Sequence, residues 1–340
     1  FYDNAKGFFQ TALTQRHNLT FSGAAPDNKV NYRVTGGLTR QNGVVPNSFY
    51  DRYNITGAGQ SQVTNWMNVD LTTSYSYTDN NQPFKGAGGP LIGLLIWPQT
   101  DDASNWLTPA GTRRTVTGTL SPGAEVDNPY FNVERNGIAS TSNRINVNLG
   151  LRINPFSWGN IKTNIGSDSY TTHSEVLRHP ESAYGYSSGG ILDVANDNTR
   201  NLSAQTLLNI NRVELSDRIG VSGVVGNAIS DQRSNIDALW GRDFLEPNFV
   251  SINNTRTRNS KTTIAQRRLI GLFAQASFDY NDYLFVTLSG RNDWTSTIPV
   301  ERNSFFYPSV SSSFIFSDAF PSVSNFMTGK VRAAYAEVGR

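Results

Sequence analysis

Apolar and polar residues alternate with a period of two through most of this sequence. Between positions 144 and 154 the apolar residues are odd-numbered and the polar ones even-numbered, and the pattern recurs near 30–38, 68–77, 202–210, 219–225, 272–278 and 284–290. Such alternation is typical of β-strands with one apolar and one polar face. Abundant Asn, Gly, Ser and Thr disfavour helices, and only 3–13 carries a weak helical period. The sequence therefore predicts an all-β fold.

The length of the alternating segments separates two kinds of all-β protein. We predict about 12 strands, near 17–23, 29–40, 49–59, 68–78, 143–154, 160–171, 201–213, 218–230, 267–279, 283–292, 305–316 and 330–338. Many run for about 10–13 residues, whereas soluble strands average about 5–6 and bilayer-spanning strands need about 9–11. Strand length therefore indicates an antiparallel transmembrane β-barrel.

The connections between these strands alternate between short and long. We predict short turns on one side of the sheet and long outer loops near 79–142, 172–200 and 231–266 on the other. Short periplasmic turns and long extracellular loops are typical of outer-membrane barrels. The short turns also carry rings such as Trp66, Phe156, Trp158, Tyr280 and Tyr283, which suit an interfacial aromatic girdle.

Composition excludes several other classes of protein. The chain has no Cys, which removes disulfide frameworks and cysteine-based chemistry. Its best apolar run, Leu91–Trp97, is far shorter than the roughly 18 residues that a membrane helix needs. A net charge of +2 implies no strong attraction to nucleic acid.

A set of motifs spread along the chain carries a family resemblance. The motifs are Phe8–Ala12, Gln15–Gly23, Arg52–Asn54, Val63–Trp66, Gly89–Leu91, Trp97–Asp102, Asp127–Phe131, Asn154–Trp158, Ser289–Trp294, Phe305–Ser311 and Lys330–Gly339. Together and in this order they resemble the SusC/RagA-type TonB-dependent outer-membrane transporters of the Bacteroidota.

The resemblance implies a large barrel of about 22 strands around a plug, of which this chain holds about 12. Residues 1–340 are then expected to form a partial β-barrel domain. The N-terminal plug, the TonB box and the C-terminal half of the barrel are expected to lie outside this chain.

The resemblance also implies a function and partners. A protein of this type is a multi-pass barrel of the bacterial outer membrane that imports oligosaccharides or peptides, so no catalytic residue and no enzyme activity are expected. The implied partners are a SusD-like surface lipoprotein, the TonB–ExbB–ExbD complex acting through the N-terminal region, outer-membrane lipid and a second SusCD-type pair in a dimer. On the residues alone, a passive porin and a soluble or surface all-β adhesin stay open as alternatives.

Two groups of residues are candidates for substrate contact. Loop 79–142 combines stacking rings with charges, a combination that suits sugar binding: Trp97, Asp101, Asp102, Trp106, Arg113 and Arg114. Strand parity predicts that a second group faces the lumen: Asn31, Arg33, Asp70, Asn146, Asn148 and Arg152. The same parity adds Lys162, Asn164, Gln205, Asn209 and Asn211 to this face. The alternative for the loop group is that loop 79–142 folds onto the plug or a partner. The alternative for the second group is that its side chains only line a water-filled lumen and contact the plug.

Other chemistry has weaker support in the sequence. His17, His173 and His179 lack metal-site spacing, so no transition-metal site is predicted. A cluster of oxygen donors could ligate a structural calcium ion in an outer loop: Asp193, Asn196, Asp197 and Asn198. A basic run is expected at a loop and strand end, where it would meet anionic surface lipid: Arg256, Arg258, Lys261, Arg267 and Arg268.

Overall fold

The computed structural model describes residues 1–116 and 125–339. The described residues form twelve strands: β1 Thr14–Ala24, β2 Val30–Asn42, β3 Phe49–Thr64, β4 Met67–Gln82, β5 Gly137–Phe156, β6 Gly159–Arg178, β7 Ile191–Ser216, β8 Ile219–Phe244, β9 Thr255–Tyr280, β10 Leu284–Thr295, β11 Ser304–Phe314 and β12 Val331–Ala336. Five short helices accompany them: α1 Asn4–Phe8, α2 Pro90–Ile96, α3 Pro129–Arg135, α4 Phe316–Ala319 and α5 Pro321–Ser324. None of the helices in the described ranges has the length and hydropathy of a membrane span.

The strands form one sheet in which each strand pairs antiparallel with the next along the chain, from β1 to β12. The predictions of an all-β fold and of twelve antiparallel strands are therefore confirmed. Connections at one end cover 25–29, 65–66, 157–158, 217–218, 281–283 and 315–330, and those at the other cover 43–48, 83–136, 179–190, 245–254 and 296–303. We call the first the inner end and the second the outer end.

The tight inner turns follow from their sequences. Asn281 and Asp282 adopt φ of 47° and 57°, and Asn28 adopts 57°. Asn and Asp tolerate this left-handed region better than other non-glycine residues, and two such residues in succession build a hairpin turn that matches the twist of the strands. Polar turn residues at these places therefore fix the short connections.

The register places the apolar residues on one face across the whole sheet. Leu71 lies opposite Leu149, which lies opposite Ile165, and the row continues through Ala204, Ile229 and Ile270. Directly opposite residues in an antiparallel pair share a face. We call this the apolar face and the other the polar face. Leu19 is 62% exposed and Ile55 53% exposed, so the apolar face meets the surroundings of the protein and does not pack into a core.

Rings cluster at the inner end, as the sequence predicted. Phe156 and Trp158 stack with their centroids 4.7 Å apart, and Tyr283 makes edge contacts with Tyr280 and Phe314. Such amphipathic rings at strand ends suit a membrane–water boundary.

Two of the three predicted outer loops are wrong. The strands extend through most of 172–200 and of 231–266, so the connections there are only 179–190 and 245–254. The remaining predicted loop, 79–142, is present but shorter, at 83–136. β7, β8 and β9 each have 26 residues, or about 85 Å of strand, where a lipid-facing band is only about 25 Å tall. Beyond that band neither face has to be apolar, so the alternation disappears while the backbone pairing goes on.

The same extension removes the predicted basic loop. Its residues lie within β9, where Arg267 and Arg268 point to opposite faces because they are adjacent in one strand. Arg268 pairs with Asp231, and Arg256 with Asp243 at 3.7 Å. The run is therefore divided between two faces and partly neutralised.

Candidate functional site

The described parts of the β4–β5 connection, 83–116 and 125–136, form a folded unit at the outer end of the sheet. Phe8, Leu94 and Val133 form its buried apolar core, with Val45 and Tyr130 packed against them. These residues come from α1, α2, α3 and the β2–β3 connection. An apolar core of this kind holds the connection against the sheet, whereas a loop without buried contacts would move freely.

Local sequence explains why α2 and α3 meet closely. α3 begins after Asn128, whose side chain accepts hydrogen bonds from the N–H groups of Tyr130 and Phe131 at 2.8 and 3.3 Å, and Pro129 stands at the first helical position. A Cβ atom at Gly93 would lie 2.2 Å from the carbonyl oxygen of Asp127. A glycine is thus required where α2 passes this backbone.

A buried carboxylate ties the β4–β5 connection to the β6–β7 connection. Asp127 accepts from Arg113 Nη1 at 3.1 Å, from Ser182 Oγ at 2.5 Å and from the backbone N–H of Ala183 at 2.7 Å. The amides of Asn132 and Asn136 add longer contacts at 3.3 and 3.2 Å. The side chains of Arg113 and Asp127 are 0% and 1% exposed. We call Arg113, Asp127, Asn132, Asn136 and Ser182 the Asp127 cluster.

His179 lies beside the Asp127 cluster and is held as a neutral imidazole. Its backbone N–H donates to Asn136 Oδ1 at 2.8 Å, and its Nδ1 accepts from the N–H of Glu181 at 3.2 Å. Nε2 is 3.3 Å from Asn248 Oδ1, an acceptor, which places the ring proton on Nε2. Burial lowers the pKa of His179 below its usual 6.5, although Glu181 and Asn248 oppose the shift.

Acid is expected to loosen this region through His179. An opened state with an ordinary histidine binds a proton more readily than the folded state, so the opening free energy falls as pH drops below about 6.5. Protonation of Nδ1 would also cost the bond from Glu181. Hydrogen exchange across 179–186, corrected for intrinsic rates, should therefore speed up between about pH 7.5 and about pH 5.5. His179→Gln should remove this dependence, and His173→Gln, at an exposed histidine of β6, should leave it; a dependence that survives His179→Gln would contradict the assignment.

The six loop residues predicted for substrate contact divide into two groups. Trp97 Nε1 donates to Asp101 Oδ2 at 3.1 Å, Asp101 also pairs with Arg114, and Arg113 is buried in the Asp127 cluster. Trp97 and Arg113 are buried inside the connection, whereas Asp101 and Arg114 are paired but half-buried. Asp102 and Trp106 are half-buried: Asp102 accepts from Ser104, which lowers its pKa, and Trp106 has the Arg135 guanidinium 5.7 Å from its ring centroid. A substrate role stays a prediction, and the half-buried members keep surface for it: Asp101, Asp102, Trp106 and Arg114.

The predicted lumen residues share the polar face. Asn31, Arg33, Asp70, Asn146, Asn148 and Arg152 all alternate with members of the apolar face. Arg152 lies opposite both Asn68 and Lys162, and Asp70 lies opposite Gly150, where an added Cβ would be 2.3 Å from the Asp70 carboxylate. The polar face is therefore a surface of amides and charges of both signs, and Gly150 leaves room on it for the Asp70 carboxylate.

Sequence reasoning missed the ion pairs of the polar face. Arg144 donates from Nε and Nη2 to both oxygens of Asp168 at 2.7 Å, a bidentate pair between residues 24 apart in the chain. Arg212 reaches Asp279, 67 residues away, at 2.6 Å near the inner end. Nothing local in the sequence marks such partners. The Asp127 cluster was also missed, although Asn128-Pro129 is a readable helix start.

The four predicted calcium ligands do not converge. They lie in β7, where Asp193 and Asp197 point to one face and Asn196 and Asn198 to the other. Asp193 instead pairs with Arg242 at 2.5 Å, and Asn196 Oδ1 is 2.8 Å from His173 Nδ1. One ion therefore cannot take all four. Within the part of the chain that the structure describes, no group of three or more His, Cys, Asp or Glu residues is placed to hold a metal ion.

Comparison with known proteins gives a family and a fold. The family model described as TonB dependent receptor-like, beta-barrel matches residues 95–340. The RagAB peptide importer in its closed-closed state matches at a TM-score of 0.75 and 18% identity, over 98% of this chain and 38% of that one. The outer membrane transporter YddB from Escherichia coli matches at a TM-score of 0.58 and 9% identity, over 96% of this chain and 38% of that one. The ferripyoverdine receptor of the outer membrane of Pseudomonas aeruginosa matches at a TM-score of 0.55 and 13% identity, over 88% of this chain and 38% of that one.

The matched solved chains are much longer than this chain. The chain spans under two fifths of the length of each of these three solved chains. No curated protein matches it. The fold match and the family match together confirm the predicted outer-membrane β-barrel of the TonB-dependent type.

Proposed function

This chain belongs to the TonB-dependent receptor-like β-barrel family, and from that premise we propose that it forms part of the wall of an active outer-membrane importer of the SusC type. The proposed cargo is an oligosaccharide or a peptide. The proposed partners are a SusD-like surface lipoprotein, the TonB–ExbB–ExbD complex and, in a dimer, a second copy of the pair. Nothing covalent happens to the cargo in this proposal, and the protein acts as a transporter and not as an enzyme.

The observation that carries the proposal is the polar face. Twelve strands present one continuous surface of amides, hydroxyls and paired charges opposite the apolar face. Amide and hydroxyl groups match the hydrogen-bonding groups of a peptide backbone or of sugar hydroxyls, and ion pairs such as Arg144–Asp168 neutralise some of the charges of this face. We propose that this face lines the lumen.

A second observation supports a partner at the outer end. α2 exposes two i, i+4 pairs of apolar side chains: Leu91 at 52% and Leu95 at 68%, and Ile92 at 39% and Ile96 at 60%. The other side of α2 is fixed to the protein through Leu94 and Gly93. An apolar patch outside the membrane on a firmly anchored helix suits a protein partner, and we assign it to the lipoprotein lid.

Uptake by cells tests the proposal. Cells that express the whole protein should import a labelled peptide or oligosaccharide mixture, and collapse of the proton gradient should stop the import, since energy reaches the barrel through TonB. Removal of the partner lipoprotein should reduce import at low substrate concentration. Import that continues unchanged without the gradient would support a passive porin and overturn the proposal. Separate peptide and oligosaccharide arms identify the cargo class.

A further inference from the structure

Two arginines face each other on the apolar face of the sheet. Arg200 of β7 lies directly opposite Arg233 of β8, and both side chains are exposed. Like charges directly opposite in an antiparallel pair are destabilising. An anion that lies between the two guanidinium groups would relieve this repulsion.

The neighbouring carboxylate is that of Asp231, which attracts Arg200 electrostatically. Among the described residues, the ion pairs include neither Arg200 nor Arg233, and Oδ2 of Asp231 accepts hydrogen bonds from the Nε and Nη2 atoms of Arg268. Three arginines and one aspartate leave a local charge of about +2 at neutral pH. This surface is therefore complementary to a negatively charged group.

The position of the arginine pair corresponds to the edge of the membrane. On β7 the apolar residues Leu202, Ala204 and Leu208 stand on the inner side of Arg200, and the strand continues outward with Asn198 and Asn196 on the same face. Arg200 lies four residues from Ala204, or about 13 Å of strand. The guanidinium groups thus stand where the apolar band ends on the outer side, at the depth of lipid headgroups.

A groove gives the anion a place to bind. It has a volume of about 550 Å³ and is lined by the two arginines, by Asn198 and Asn235, and by Tyr75 and Ile264 among its less polar members. Asn198 and Asn235 lie directly opposite one another. Guanidinium and amide N–H groups are strong donors to phosphate oxygens.

An apolar groove lies next to the first. It has a volume of about 520 Å³, shares Tyr75 with the polar groove, and is lined mainly by apolar groups including Leu19, Leu38 and Ile55. These residues belong to the apolar face of β1, β2 and β3. The surface therefore combines an anion site with an adjoining apolar channel, as a lipid with a charged headgroup requires.

We propose that Arg200 and Arg233 bind the phosphate of a phosphorylated glycolipid of the outer leaflet, and that an acyl chain of the same lipid lies in the groove beside Tyr75. The phosphate relieves the repulsion between the two guanidinium groups. The site faces the membrane and not the lumen, so it is independent of the cargo and of the lid assigned above.

Native mass spectrometry of the full-length protein in detergent tests the site. The probes are monophosphorylated lipid A, the same lipid after removal of its phosphate, and inorganic phosphate. The wild-type protein should retain the phosphorylated lipid about tenfold more tightly than the dephosphorylated one, since charge-assisted contacts are lost with the phosphate. Combined Arg200→Gln and Arg233→Gln should abolish the difference.

A matched control uses Arg267, an exposed arginine that points to the opposite face of β9. Arg267→Gln should leave lipid retention unchanged. Equal retention of the two lipids by the wild-type protein would overturn the proposal, and that arm requires no variant to fold. Inorganic phosphate that displaces the lipid at equal concentration would indicate a free-anion site and overturn the lipid assignment. An equal loss of lipid retention in Arg267→Gln would show that retention depends on the overall positive charge and not on this site, and would overturn the proposal.

Discussion

Asp127→Ala is expected to detach the β4–β5 connection from the sheet without unfolding the strands. Asp127 receives five hydrogen bonds, from Arg113, Asn132, Asn136, Ser182 and the N–H of Ala183. Removing one partner of a buried ion pair typically costs about 3–5 kcal/mol, because the other charge is left buried and unpaired. We expect a local opening free energy lower by about this amount.

Hydrogen exchange at α3 and at Ser182–Gly185 measures the effect. Protection at these backbone groups should fall steeply in Asp127→Ala, while protection in the ladder of β5 and β6 should be kept. Glu134→Ala provides the control, since Glu134 is exposed on the same helix and should change protection by less than about 0.5 kcal/mol. Equal protection in Asp127→Ala and the wild-type protein would show that the Asp127 cluster does not anchor the connection.

The anchoring changes how the outer end of the protein can work. A connection with its own apolar core and a buried ion pair presents a preformed surface, so a partner meets ordered side chains and loses little conformational entropy on binding. The exposed leucines and isoleucines of α2 are fixed in this way. The acid sensitivity expected at His179 lies in the same region, because His179 contacts Asn136 of the Asp127 cluster.

The sequence predicted the part of the fold that the membrane dictates. Within the bilayer a strand has to present an apolar residue at every second position, so β5 is readable from Ile145, Val147, Leu149, Leu151 and Ile153. Strand number, order and the short inner turns followed from this rule. The outer halves of β7, β8 and β9 were missed because water imposes no such rule, and pairs such as Asn198 with Asn235 carry no alternation.

The candidate site was predictable only in part, for a different reason. Strand parity predicts which residues share a face, and Asn31 and Arg152 do lie on the polar face, while their contact with a lumen stays a prediction. The Asp127 cluster joins positions 113, 127 and 182, which no local pattern connects, and the loop residues Trp97 and Arg113 proved to be internal contacts. Burial depends on tertiary packing, which the spacing of rings and charges in a loop does not reveal.

Leu149→Lys is the second change with a large expected effect. Leu149 lies between Leu71 and Ile165 on the apolar face and is 40% exposed. In a lipid-facing position near the middle of the bilayer a lysine costs about 2–4 kcal/mol of folding free energy. Asn148→Lys differs by one position in the same strand but points to the polar face, where a lysine meets Asn, Asp and water, and should cost less than about 1 kcal/mol.

The folding free energies of this matched pair in lipid bilayers test the central claim most directly. Reversible unfolding by denaturant, with the full-length protein inserted in vesicles, gives both values against the wild-type protein. We predict that Leu149→Lys is destabilised by about 2–4 kcal/mol and that Asn148→Lys stays close to wild type. Equal losses at both positions, or a larger loss at Asn148, would contradict the assignment of the apolar face to lipid.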